Sequence, residues 1–525
     1  MARPGSSRKT VFAIIGVFLS RSLAMVLATV ISVLMGNKFG VGQATDSFFF
    51  ARRIAMGCAE AAQRVTNIVL IPGLAAKLNS RDPELIGRTW VRYLRNTFLW
   101  GFPITIVLAV AAPFLVKIMG PGFTPDTADM SVYLLRILLF IIPVTVLESI
   151  SGSVLNAGRH FTAAATIPLL GRLCVVVSLF FLVPPWNVHE LAWVMLIGSA
   201  AASVILGLVA HRKLPGMVEA GEKIDSKTKG EAGRLFWPGF LVFFTTQAFI
   251  WLEFGYASTL GAGAISEMEY GYRILAILPG VVSSSLTTVM YTEFSHLMAQ
   301  GRKEEMYLSL ARVTRGGLYL MAPVIGFLAF QGENIARIML HHGAFPESSI
   351  KVIGDVMLYM AFSAIGLYCV KIYIFGMYAD ESAPVLKMVL IMLGVTLATR
   401  IIFINLFIDS MGPAGIALAR SVSTLFRVAA VYLLLKHYWG RFLRPRDLVA
   451  MLSMIVFTAV AMGATRFAND WLGFTPDKSV PVRLVGLGVM AVLGFGLYVG
   501  LTYLVRMPET ARIEKAFRKK ILRMG

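Results

Sequence analysis

Stretches of about twenty apolar residues recur along the whole chain, and each is long enough to cross a hydrocarbon layer of about 30 Å as a helix. Backbone polar groups in lipid must be satisfied within the segment itself, so uninterrupted apolar runs of this length can only be helical. About fourteen such spans can be placed, from 11–35 to 484–505, mostly with short connections. Composition agrees: 57% of the 525 residues are hydrophobic and 15% charged, and mean hydropathy is +0.72. A soluble domain carries about 25% charged residues. The expected fold class is all-α integral membrane, and any chemistry must happen in or at the bilayer.

The net charge of +20 invites a nucleic-acid reading, but its distribution excludes one. Connections on the side of the N-terminus hold 31 of the 49 Lys and Arg residues, those on the opposite side hold 7, and 11 fall inside spans. That asymmetry is a positive-inside signal placing both termini in the cytoplasm, with anionic lipid as the surface partner. Arg3, Arg8 and Lys9 precede an apolar run, as in a signal peptide. Arg21 interrupts that run and no small-residue cleavage site follows, so an uncleaved first helix is expected. Cys58, Cys174 and Cys369 stand alone in apolar segments, without disulfide or metal-ligand spacing.

One span is too polar to face lipid. Gly40–Arg64, GVGQATDSFFFARRIAMGCAEAAQR, carries Asp46, Arg52, Arg53, Glu60, Gln63 and Arg64. On a helix Asp46, Arg53, Glu60 and Arg64 share one face. A central charge costs about 2.5–3.5 kcal/mol on the insertion scale, so this face must line protein or water. Arg21 sits near the middle of the first span, either as a functional group or as the partner of a neighbouring carboxylate. Glu253 lies in the seventh span and Lys371 mid-membrane in the tenth, and Arg400, Arg420 and Arg427 lie in the eleventh and twelfth. Glu269 and Arg273 are four apart on one helix face, the spacing of an internal ion pair.

An internal repeat divides the chain. Arg53-Ile54 recurs as Arg273-Ile274, and Lys117-Ile118-Met119 as Arg337-Ile338-Met339, both at an offset of 220. The offset drifts to 222 where Leu155-Asn156-Ala157 faces Met377-Tyr378-Ala379. Six spans per half, starting on the same side, make a parallel repeat. The expected organisation is a first lobe over 1–211, a cytoplasmic linker over 212–234 and a second lobe over 235–440. A final helix pair over 441–507 and a basic amphipathic cytoplasmic tail over 508–525 complete it.

Enzyme signatures are missing: no P-loop, no His/Cys zinc spacing and no GxSxG elbow. Gly261-Ala262-Gly263 is too short for a dinucleotide loop, and His341-His342 reads as an ordinary polar loop. No cofactor is expected. The ionisable lining is biased positive, because Arg21, Arg52, Arg53, Arg64, Arg273 and Lys371 outnumber Glu60 and Glu269. Arginine's fork suits phosphate, so a cationic cavity predicts an amphipathic anionic substrate such as a pyrophosphate-linked lipid.

At these residues the chain resembles the MurJ/MviN family of lipid II flippases, within the multidrug/oligosaccharidyl-lipid/polysaccharide exporter superfamily. The matching stretches, in order, are Ser20-Arg21, FGVGQATDSFF (Phe39–Phe49), PGF (Pro121–Phe123), LNAGRHF (Leu155–Phe161), YRILAILPG (Tyr272–Gly280), HHGAF (His341–Phe345) and VKIYIFGMYA (Val370–Ala379). The resemblance implies fourteen helices in two six-helix lobes plus a final pair, and alternating access in the bacterial inner membrane. It implies a central cationic cavity for a polyprenyl-pyrophosphate-linked glycan, with cell-envelope synthesis machinery as the setting for protein partners. It carries functional positions to Arg21, Asp46 and Arg273, with Arg53 at a basic position of the second helix. The chain departs from the pattern at Leu27 and Ala28, where family members carry an Arg-Asp pair. It departs again near Cys58–Ala59, where an arginine is expected, and at YTEFS, which lacks a proline. The leading expectation is a lipid II flippase. The alternatives are a flippase for an exopolysaccharide or O-antigen repeat and, from another class, a membrane glycosyltransferase or ligase.

Overall fold

A computed structural model describes residues 4–78, 90–157 except 93, 160–181, 187–217, 227–380, 382–440, 442–472 and 479–511. Side chains at 4–15, 17–18, 21, 67–78, 157, 214–217, 227–236, 277–289, 291–292 and 470 lie outside the description. The described residues form two compact units. One comprises Met1–Ser266 with Gly343–Phe345, the other Glu267–His342 with Pro346–Gly525.

The first unit contains α1 (Pro4–Phe39), α2 (Gln43–Leu78), α3 (Phe102–Val110), α4 (Ala112–Met119), α5 (Pro125–Leu139), α6 (Ile141–Ala157), α7 (Phe161–Thr166), α8 (Leu169–Phe181), α9 (Val188–Met217) and α10 (Lys227–Ser258). A π-helical turn, Thr97–Gly101, precedes α3. α2 is the hub, packing on α5, α6 and α10. α5 starts as its sequence dictates, with Thr124 accepting from the Thr127 N–H and Pro125 in the first turn, where a missing N–H costs nothing. The α5–α6 break at Phe140 has a cause three residues on. Pro143 donates no hydrogen bond and its ring crowds the carbonyl four residues back. α8 and α9 meet at small residues, where a Cβ on Gly198 would lie 2.9 Å from the Cys174 Cβ. Close approach at glycine is how helices gain packing contacts where lipid supplies no hydrophobic drive.

The second unit contains α11 (Ala264–Ala299, its first turn shared with the first unit), α12 (Lys303–Phe330), α13 (Gly332–Leu340), α14 (Glu347–Ala379), α15 (Val385–Met411), α16 (Pro413–Trp439), α17 (Pro445–Trp471) and α18 (Val480–Leu504). α16 packs on α14 and α15, and α12 on α14, α17 and α18. Buried polar contacts fasten the last two helices to α12. Arg315 pairs with Asp447 at the start of α17 and with Glu509 beyond α18. Thr510 donates to the Tyr319 hydroxyl at 3.2 Å, and the Tyr498 hydroxyl to the Tyr319 carbonyl at 3.2 Å. The tail expected over 508–525 is thus anchored through 511, and 512–525 lie outside the described residues.

Helix boundaries repeat with the offset read from sequence. α2 and α11 are both 36 residues long. The pair α5–α6 spans Pro125–Ala157, and α14 spans Glu347–Ala379, displaced by 222 at each end. The stretch 212–234 is helical at both ends, as the tails of α9 and α10, with 218–226 outside the described residues. α10 packs on α2 and α4, within the first unit. Packing and sequence repeat are therefore separate divisions of the chain at this helix.

Among the described residues, twelve helical stretches are long and apolar enough to cross a bilayer. The chain is an all-helical, multi-pass membrane protein.

Candidate functional site

The polar face of α2 is graded. Asp46 is buried, Arg52 and Arg53 are half-buried, and Glu60 and Arg64 are exposed. At the buried end Asp46 accepts from the Gly263 N–H at 2.6 Å, from the Ser266 N–H at 2.7 Å and from the Ser266 hydroxyl. These are donors at the start of α11, which its own helix leaves without acceptors. A carboxylate there also meets the positive end of the helix dipole. Asp46 is a capping residue in this geometry, with both oxygens engaged.

Two glycines of the family-like motifs lie beside it. Gly40 and Gly343 both have φ +63°, a region that L side chains rarely adopt. A Cβ on Gly40 would lie 2.5 Å from the Ala344 carbonyl oxygen, and one on Gly343 would lie 2.3 Å from that of Asn37. The Ala344 N–H donates to the Asn37 carbonyl at 2.9 Å. FGVG, the GAF of HHGAF and Gly261-Ala262-Gly263 thus form one packed corner of the first unit.

At the exposed end α2 meets α10. The Gln247 Nε2 donates to the Glu60 Oε2 at 3.2 Å. The Arg64 guanidinium lies 4.2 Å from the centroid of the Phe243 ring, a cation–π contact of about 0.5–1 kcal/mol at an exposed site. Gly57 lets α10 come close, since a Cβ there would stand 2.9 Å from the Trp251 ring. The Arg53 Nε is buried with no hydrogen-bond acceptor.

In the second unit, Arg273 donates from Nε to the Glu269 Oε1 at 2.7 Å, the ion pair expected from their spacing. Lys371 is half-buried on α14. The Arg420 guanidinium stacks over Tyr272, 4.7 Å from the ring centroid, and Arg400 donates from Nε to the Ser423 hydroxyl at 2.7 Å. The Arg21 side chain lies outside the described residues. The seven expected site residues with described side chains therefore fall into three local settings: the capped corner at Asp46, the rest of α2 with Arg52, Arg53 and, at its seam with α10, Glu60 and Arg64, and the second-unit helices bearing Arg273 and Lys371.

Sequence reading did not find Phe243, Gln247, Trp251 or Ser266. Gln247 and Trp251 are four apart on α10, the signal available for one shared face. Nor did it find a recess of about 600 Å³ lined by Ser20, Ala24, Asn156, Phe161 and Arg172. There the Arg172 Nη1 donates to the Ala24 carbonyl. His341, in the loop after α13, does have a carboxylate neighbour, since its Nε2 lies 2.9 Å from the Glu347 Oε2 and Glu347 also pairs with Arg337. Among the described residues no three His, Cys, Asp or Glu side chains group to hold a metal ion.

The family model described as lipid II flippase MurJ matches residues 35–475. The probable lipid II flippase MurJ of Rhizobium meliloti (strain 1021) is 22% identical over 504 residues, covering 92% of each chain. The lipid II flippase MurJ of Burkholderia cenocepacia is 22% identical over 504 residues, covering 90% of this chain and 93% of its own. A solved lipid II flippase MurJ in an inward closed conformation matches with a TM-score of 0.69 at 18% identity, over 94% of this chain and 100% of that one. An inward-facing multidrug resistance transporter of the MATE family, in the MOP superfamily, matches at 0.65 and 14% identity, over 83% and 98%. The MOP transporter fold and the family match along most of its length agree: this chain belongs to the lipid II flippase MurJ family.

Proposed function

We propose that this protein moves lipid II, the undecaprenyl-pyrophosphate-linked peptidoglycan precursor, from the cytoplasmic to the outer leaflet of the bacterial cytoplasmic membrane. The observation that carries this reading is the family match over residues 35–475. The cationic side chains of α2 support it chemically, because Arg53 and Arg64 on one face and Arg52 beside it supply forked donors suited to a pyrophosphate. Arg21, Arg273 and Lys371 add positive charge, and Glu60 an acceptor for polar groups of the headgroup. In this reading Asp46 acts by capping α11 and not by touching substrate. The transporter count becomes fourteen spans when α2 and α11 join the twelve apolar stretches, with both termini cytoplasmic. Substrate access alternates between the two membrane faces, and the chain itself makes and breaks no covalent bond.

One observation favours a second cargo. Leu27 is a buried apolar side chain, 7% exposed, where family members carry an arginine. A different polyprenyl-pyrophosphate glycan, such as an exopolysaccharide or O-antigen repeat, is the reading that this replacement supports.

The test is twofold. Purified protein in liposomes is expected to translocate labelled lipid II without altering it covalently; glycan transfer to an acceptor would mark a glycosyltransferase instead. In cells depleted of their own lipid II flippase the chain is expected to restore growth. Rescue of a capsule-flippase mutant but not of those cells would assign the second cargo.

A further inference from the structure

α10 carries a row of aromatic rings that the charge-based reading of the site leaves unused. Trp237, Phe240, Phe244 and Trp251 recur at helical spacing and touch in series. Their ring centroids lie 6.2 Å apart (Trp237–Phe240, edge to face), 6.1 Å (Phe240–Phe244, stacked) and 6.1 Å (Phe244–Trp251, edge to face). Trp237 is 60% exposed and Phe244 44%. The row ends where α10 meets the polar face of α2, at Gln247, Glu60 and Arg64.

From this juxtaposition we propose that the α2–α10 seam is a carbohydrate subsite, in which a pyranose ring of the lipid-linked substrate packs its C–H face on Phe244, with the perpendicular Trp251 ring as a wall at its edge, while its hydroxyls bond Gln247, Glu60 and Arg64. The inference rests on the functional reading above and adds which part of the substrate lies where.

The chemistry distinguishes a sugar from the two other parts of such a lipid. A polyprenyl tail needs apolar surface alone and would cover the Glu60 carboxylate, whose second oxygen takes no part in the Gln247 hydrogen bond, without offering it a donor. A pyrophosphate needs donors only, and the Glu60 carboxylate repels it. A hydroxylated ring needs an apolar platform together with donors and acceptors. The seam supplies all three: aromatic faces, the Glu60 acceptor, the Arg64 donors, and Gln247, which offers both. The Trp251 Nε1 is buried with no hydrogen-bond acceptor. A donor buried this deeply is out of a ligand's reach, so Trp251 contributes its ring to the subsite and not its N–H. Arg64, held over the Phe243 ring, is placed at the border between a sugar and the adjoining phosphate.

The test compares two probes on the full-length protein in nanodiscs: lipid II, and undecaprenyl pyrophosphate, which shares the tail and pyrophosphate but lacks sugar. Gln247→Ala and Phe244→Ala are expected to weaken lipid II binding about 10-fold, equivalent to about 1.4 kcal/mol, while binding of the sugar-free lipid stays within about 2-fold. Trp251→Phe retains the platform and guards against misfolding; it is expected to weaken lipid II alone, by about 3-fold. Equal losses for both probes, or no loss for either, would overturn the subsite while leaving the flippase reading intact. Wild-type protein that neither binds nor translocates lipid II, yet translocates another lipid-linked glycan, would overturn the cargo; the same variants are then expected to weaken that glycan selectively, and uniform binding would overturn the subsite as well.

Discussion

α2 and α11 hold corresponding places in the repeat and share an arginine, Arg53 and Arg273, yet they treat its charge differently. Four residues before Arg273 stands Glu269, and the two pair at 2.7 Å. Four residues before Arg53 stands Phe49, 1% exposed and packed against Phe48. The second-half charge is therefore balanced on its own helix, whereas Arg53 gains no such partner from its preceding turn and its Nε has no acceptor. Repetition supplied two similar helices, and one substitution per turn gave them different electrostatics. The two corresponding helices therefore need not pull equally on an anion.

Alanine at the two arginines tests this most strongly. Arg273→Ala takes the ion-pair partner from Glu269, whose side chain is 5% exposed, and breaking a buried pair costs about 3–5 kcal/mol. It is expected to lose both thermal stability and complementation. Arg53→Ala is expected to cut lipid II translocation about 100-fold, a loss of roughly 2.7 kcal/mol, with little change in melting temperature. Equal melting temperatures for the two variants would break the comparison.

Next in size is Asp46, which sits in the first turn of α2 but serves the start of α11. Asp46→Ala removes the acceptor from two backbone N–H groups and is expected to cost about 1–2 kcal/mol, the range for losing a helix cap. Ser266→Ala, which removes only the hydroxyl, is expected to cost less. Chemical denaturation of the purified variants would check the order; a melting temperature for Asp46→Ala equal to wild type would reject the capping role.

Glu269→Gln sharpens the electrostatic half of the comparison. Removing the balancing charge while keeping the volume is expected to raise affinity for undecaprenyl pyrophosphate a few-fold, by about 0.5–1 kcal/mol. Unchanged affinity would mean that Arg273 does not act on the substrate through its net charge.

The smallest effect concerns the ends of two matching helices, where α6 is followed by Gly158 and α14 by Asp380. Burial raises the Asp380 carboxyl's pKa, but hydrogen bonds from Ser382 and from the Trp439 Nε1 at 2.7 Å outweigh it and hold it below the ordinary carboxylate value. A pKa lowered on folding stabilises above the unfolded value of about 3.9 and loses that contribution as pH falls through the folded value. Wild-type protein is expected to lose a few tenths of a kcal/mol more than Asp380→Asn between pH 5 and pH 3, read as diverging melting curves. Parallel curves would place no pH sensitivity at this helix end.

Much of the molecule was legible from residues alone. Apolar runs named the helices because hydrophobicity must match the bilayer locally, and the 220–222 offset anticipated the boundaries of α2, α11 and α14. The Glu269–Arg273 pair was legible because four residues make one helical turn. The partners of Asp46, Glu60 and Arg64 were not. Asp46 and Ser266 are 220 residues apart, and Glu60 and Gln247 are 187 apart. Nothing in local spacing says which face of α10 will meet which face of α2.

The sequence by itself determined that this chain crosses a membrane many times, that one helix is too polar for lipid, and which family its motifs belong to. These follow from free energies paid within single segments. Only the tertiary structure decided that Asp46 is spent on the start of another helix, that α10 packs within the first unit, and that aromatic rings meet the polar face of α2. Those outcomes depend on packing between helices far apart in the chain, where glycines such as Gly57 and Gly40 permit close approach and every bulkier neighbour forbids it.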